Sequence, residues 1–214
     1  MKNIKEIKQI APKIYQIVPQ GNKLALDVVR FQEYNDSPIY RHKIFNRKEI
    51  FDYIIKTMGK KSFYYENVGG YNFSDESLTP FYNKKFKHIT KAEKYILNHF
   101  KDIKPPYYII IALSCLYEKS IIKHEKAHAF YYLNEEYKTN VSKILKDFIN
   151  TFPIDLKTKF IEKNMYHPDI FEDEIQAYLI SNAEDFENYV YCQKIDNNII
   201  NALKIEFKKQ LACF

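Results

Sequence analysis

The stretch IIKHEKAHAFYYLNEEY, residues 121–137, carries His124, Glu125 and His128 as H-E-x-x-H. Read as a helix, it places residues four apart nearly above one another, so His124 and His128 can aim two imidazoles at one point. Glu125 sits about 100° round from His124. That is off the line of the two rings but within reach of a water held between them. Ile122, Ala129 and Leu133 form another side, which can bury itself in a core, while Lys126 fits less comfortably among them.

Working outward, YYIIIALS at residues 107–114 follows Pro105-Pro106 and is a continuous apolar run, the pattern of a buried strand. KIYQIV at 13–18 alternates and reads as a short strand. Residues 22–34 place Leu24, Val28 and Phe31 on one helical face, with Asn22 as N-cap and Ser37-Pro38 closing the segment. A helix over 46–59 has Asn46 at its start and Gly59 past its end. Residues 62–73 read as two aromatic strands around Gly69-Gly70, or as a strand and a loop. Thr90 with Glu93 three residues on is a capping box opening a helix over 89–101. Beyond the motif, helices are expected over 141–151, 154–164, 170–182 and 198–211. The fold class is α+β. A small mixed or antiparallel sheet in the N-terminal half packs on the active-site helix, and the C-terminal half is mainly helical. The expected division is 1–104, an α+β part without a placed function, and 105–214, strand plus helices, together one compact unit.

The 214 residues include 46% apolar and 28% charged side chains, ordinary for a globular protein. Nineteen Tyr, 16 Phe and no Trp reflect a compositional bias rather than a mechanism. No apolar run reaches the length of a membrane span, and lysines interrupt the start of the chain, so neither a transmembrane helix nor a secretory signal is expected. Three unpaired cysteines, Cys115, Cys192 and Cys213, fit a reducing, cytoplasmic setting. The net charge of +6 comes from scattered lysines, densest at YNKKFKHITKAEK, residues 82–94, and no nucleic-acid-binding motif accompanies them. Nucleic acid is therefore not the expected partner.

Zinc suits two neutral imidazoles and keeps an open position in catalytic sites. A third protein ligand is needed. The metzincin extension fails, because Tyr131 and Asn134 stand where Gly and His are required. A second helix can supply a carboxylate instead. FEDEIQAYLISN, residues 171–182, offers Glu172, Asp173 and Glu174 in its first turn, on a segment whose Ile170, Ile175, Ala177, Leu179 and Ile180 make it partly buried. Acids there also suit the helix dipole without any metal.

HEKAH at 124–128 followed by E-x-x-A at 174–177 resembles the zincin-type metallopeptidases of the gluzincin kind, over roughly residues 105–182. The strand before the motif is similar to their layout, in which an edge strand lines the substrate cleft. The resemblance implies His124, His128 and Glu174 as zinc ligands and Glu125 as general base, with Glu172 and Asp173 as competitors for the third ligand. It further implies a zinc-dependent hydrolase acting on a peptide or protein substrate. An oxyanion donor is also needed, and Tyr166, His167 and Tyr178 are near the ligand helix in sequence. Two other readings compete: a non-catalytic metal-binding or regulatory protein that keeps the fold, and a basic nucleic-acid-associated protein whose motif is accidental.

Overall fold

The computed structural model describes residues 3–21, 23–59, 69–113, 118–164, 166–191 and 193–212. The chain divides into two compact units, Met1–Ile122 and Lys123–Phe214. The three cysteines, the proposed cap Asn22 and residues 62–68 of the aromatic stretch lie outside the described residues.

The first unit is built on a four-stranded mixed sheet in the order β1-β2-β4-β3, with β1 Ile4–Ala11, β2 Ile14–Pro19, β3 Gly70–Ser74 and β4 Tyr108–Ala112. β1 and β2 form an antiparallel hairpin, β2 runs parallel to β4, and β3 is antiparallel to β4. Every residue of β4 is buried, with Ile109, Ile110 and Ile111 fully so. That is the burial a continuous apolar strand requires when it is covered on both faces. The strand before the motif is thus interior, bonded on both sides, and not at the sheet edge; among the described residues the edges are β1 and β3. Because β4 belongs to this sheet, the boundary between units falls within the helix that follows it.

Among the described residues, helices α1 (Leu24–Asp36), α2 (Arg47–Met58), α3 (Asp75–Tyr82) and α4 (Lys91–Phe100) join the sheet in this unit. Leu24, Val28 and Phe31 are buried on α1 as their spacing requires. Asn46 and Thr90 both close full capping boxes, with Glu49 and Glu93, and Gly59 ends α2 at φ 81°. Phe31, Phe73, Phe81 and Phe86 pack as an aromatic cluster. Arg30 is buried against it, its guanidinium over Phe81 and Phe86 and gripping Glu93 at 2.8 and 2.6 Å. A buried ion pair is tolerable only when its remaining donors are met. The Lys87 carbonyl meets one of them at 3.0 Å.

The helix carrying the motif, α5, spans Glu118–Leu133. The second unit continues with α6 (Glu135–Thr151), α7 (Ile154–Asn164), a short 3₁₀ turn at Pro168–Ile170, α8 (Phe171–Phe186), a π-type turn at Glu187–Tyr191 and α9 (Asn197–Ala212). Asn134 caps α6 by accepting from the backbone N–H of Glu136 and Tyr137. α9 packs on α6 and α8, and α6 on α8. Phe130, Tyr137 and Phe207 meet at one end of this bundle, and Phe148, Phe152, Phe160, Phe171 and Phe186 fill the other. No helix among the described residues is long and apolar enough to cross a membrane.

Candidate metal centre

α5 and α8 bring His124, His128 and Glu174 together in the second unit. One ligand atom of each lies within 4.8 Å of the others, and the three can hold a metal ion. His128 and Glu174 are buried, while 17% of the His124 side chain stays exposed. On α5, Ala127, His128, Ala129 and Phe130 are buried, and Ile122, Lys126 and Leu133 are half-buried. On α8 the buried face is Phe171, Ile175, Ala177, Leu179 and Ile180, which turns Glu174 inward with it.

Hydrogen bonds on the far side of each ring set the tautomers. His128 places Nδ1 2.9 Å from Asp173 Oδ1. His124 places Nδ1 3.2 Å from Ser181 Oγ, whose own hydrogen goes to the Ala177 carbonyl at 2.7 Å. Both Nδ1 atoms therefore carry hydrogen, and both Nε2 lone pairs point inward. The two Nε2 atoms stand 3.1 Å apart. Glu174 brings one oxygen to 3.7 Å from each, and its Oε2 is buried without a hydrogen-bond partner. Converging lone pairs and an unmatched carboxylate oxygen repel one another unless a cation lies among them.

Without a metal, a proton fills that need. Burial alone lowers the basicity of His128, but the charges of Asp173, Glu174 and Glu125 outweigh it and push its pKa up to about 10. Burial would raise the Glu174 carboxyl; the charge on His128, with His124 and Tyr166, holds it below the usual carboxylate range. A metal entering here displaces a proton, so its affinity rises with pH.

The three successive acids of α8 take three different partners. Glu172 accepts from the hydroxyls of Tyr131, at 2.7 Å, and Ser142. Asp173 serves His128 and also accepts from Gln176 Nε2 at 3.0 Å, while Gln176 Oε1 accepts from Tyr137 at 2.9 Å. Only Glu174 faces both Nε2 atoms. Glu125 is buried, and its charge is felt by His128 and Tyr178. Tyr178 sits edge-on to His124, ring centroids 4.7 Å apart, and burial pushes its phenol pKa far up. His167 caps the turn before α8, its Nδ1 accepting from the Asp169 N–H at 3.2 Å. None of its contacts among the described residues reaches the histidine pair.

No protein-family model matches this chain, and no characterised protein or solved structure is significantly similar to it.

Sequence reasoning offered Asp173 only as a competing ligand and did not single out Ser181. Ser181 lies seven residues after Glu174, two turns on along the same face, and that spacing could have found it. Partners that orient a ligating histidine typically contribute about 10–100-fold to metal affinity. Asp173→Ala is accordingly expected to weaken divalent-metal binding by about that factor, measured by competition with a chelating dye. Unchanged affinity would remove Asp173 from this role.

Proposed function

We propose that the protein is a zinc-dependent hydrolase, a metallopeptidase that cleaves peptide bonds with water. The observation that carries this reading is the convergence of His124 Nε2 and His128 Nε2 of α5 with the Glu174 carboxylate of α8, Glu125 being buried next to His124 on α5. Two imidazoles and one carboxylate are a donor set that suits catalytic zinc, which takes water as its fourth ligand. The ligand glutamate from a helix downstream of H-E-x-x-H is the gluzincin-like arrangement.

Zinc held by these residues supplies Lewis-acid polarisation and activation of water. Glu125 accepts the proton of the attacking water and delivers it to the leaving amine nitrogen. Tyr178, kept in its phenol form, donates a hydrogen bond to the oxygen that gains charge as the carbonyl carbon becomes tetrahedral. Asp173 and Ser181 hold the two rings in the ligating tautomer. His167 is assigned no chemical step; it shapes the entry to α8. The substrate class is peptide or protein, and the odd number of cysteines favours a cytoplasmic setting.

The test is hydrolysis of a mixed peptide pool by the purified protein. Cleavage is expected to stop on chelation and to return when zinc is restored. Zinc bound stoichiometrically with no cleavage of any peptide would instead favour a non-catalytic metal-binding protein.

A further inference from the structure

α8 leaves helical dihedrals at Asn182, φ −154° and ψ 62°. Such a break interrupts the hydrogen-bond ladder around it. The Ile180 carbonyl sits in that turn and accepts from Lys123 Nζ at 2.7 Å. The next residue of each helix makes the next tie, His124 Nδ1 to Ser181 Oγ. Lys123 and His124 on α5 thus grip Ile180 and Ser181 on α8 side by side. A side-chain donor on a carbonyl beside a helix break holds the backbone of the broken turn.

We propose that Lys123 is a positioning residue for the metal centre. By gripping the Ile180 carbonyl it fixes the kinked turn of α8, and through Ser181 it fixes the His124 ring with Nε2 turned towards His128 and Glu174. The inference rests on the metal-centre reading. Without the ammonium, the Ile180 carbonyl must find another donor. The turn then relaxes, Ser181 leaves Nδ1, and the His124 ring is free to rotate Nε2 away from the other ligands.

The experiment measures zinc affinity, by competition with a chelating dye, for the wild-type protein, Lys123→Met, Lys123→Arg, Ser181→Ala and the Lys123→Met/Ser181→Ala double variant. Thermal unfolding of each metal-free protein is recorded alongside. Lys123→Met is expected to weaken zinc binding about tenfold, within the range for residues that orient ligands. Arg at this position restores affinity, because it too can donate to a carbonyl. The double variant is expected to lose no more than Ser181→Ala alone, since both changes break one linkage. Undiminished affinity in Lys123→Met, or losses that add in the double variant, would overturn the inference while leaving the metal centre standing. Equal loss in Lys123→Met and Lys123→Arg, with a lowered unfolding temperature in both, would reduce Lys123 to a structural residue and overturn it as well. A wild-type protein that binds no zinc would overturn the metal centre and this inference together.

Discussion

Glu125→Gln is expected to keep zinc bound and to lower peptide hydrolysis by about 10²–10⁴-fold, the usual contribution of a positioned general base. Gln has nearly the shape of Glu, so the buried position is refilled and the ligand atoms stay where they are. The amide cannot accept the water's proton, and the proton then has no carrier to the leaving amine. The substitution also removes one of the charges that raise His128. Zinc competes with a proton for that ring, so losing the charge does not by itself expel the metal. Metal content and turnover are therefore expected to separate: zinc retained, hydrolysis lost. Turnover equal to that of the wild-type protein would take Glu125 out of the chemistry.

His128→Ala has the larger expected effect on metal binding. In the proposed centre His128 supplies one of the three donors, and its ring is also tied to Asp173 and, through it, to Gln176 and Tyr137. Its removal deletes a ligand atom and leaves two carboxylates, Asp173 and Glu174, without the group that faced them. The loss in zinc affinity should exceed the roughly 10–100-fold expected for removing a supporting partner alone. Comparison with Asp173→Ala in the same titration checks this ranking. If His128→Ala binds zinc as well as Asp173→Ala does, His128 is not a ligand.

Local signals carried much of the fold. The capping residues Asn46 and Thr90 start their helices where the sequence places them, and β4 is the buried strand its apolar run indicates. The signals that failed did so for physical reasons. In β1 the isoleucines at 4, 7 and 10 recur every third residue, and the strand accommodates this with two register shifts opposite β2. A search for strict alternation misses it. α3 carries Pro80 inside it, which disguises a helix in sequence.

At the site, the two histidines were legible because their spacing is a local property of one helix. The division of labour among Glu172, Asp173 and Glu174 was not. Successive helical residues point about 100° apart. Three adjacent acids must therefore face three different neighbours, and which neighbours they meet depends on α5 and α6, distant in sequence. The spacing of Ser181 puts it on the Glu174 face, but its contact with His124, 57 residues away, depends on how the two helices meet.

The most direct test of the account is the zinc content of the purified wild-type chain after dialysis against a weak chelator, read beside the His124→Ala, His128→Ala and Glu174→Ala variants. One zinc ion per wild-type chain is expected, with its loss in each of the three variants. A wild-type chain free of zinc after exposure to the metal, or variants that keep it, would contradict the account.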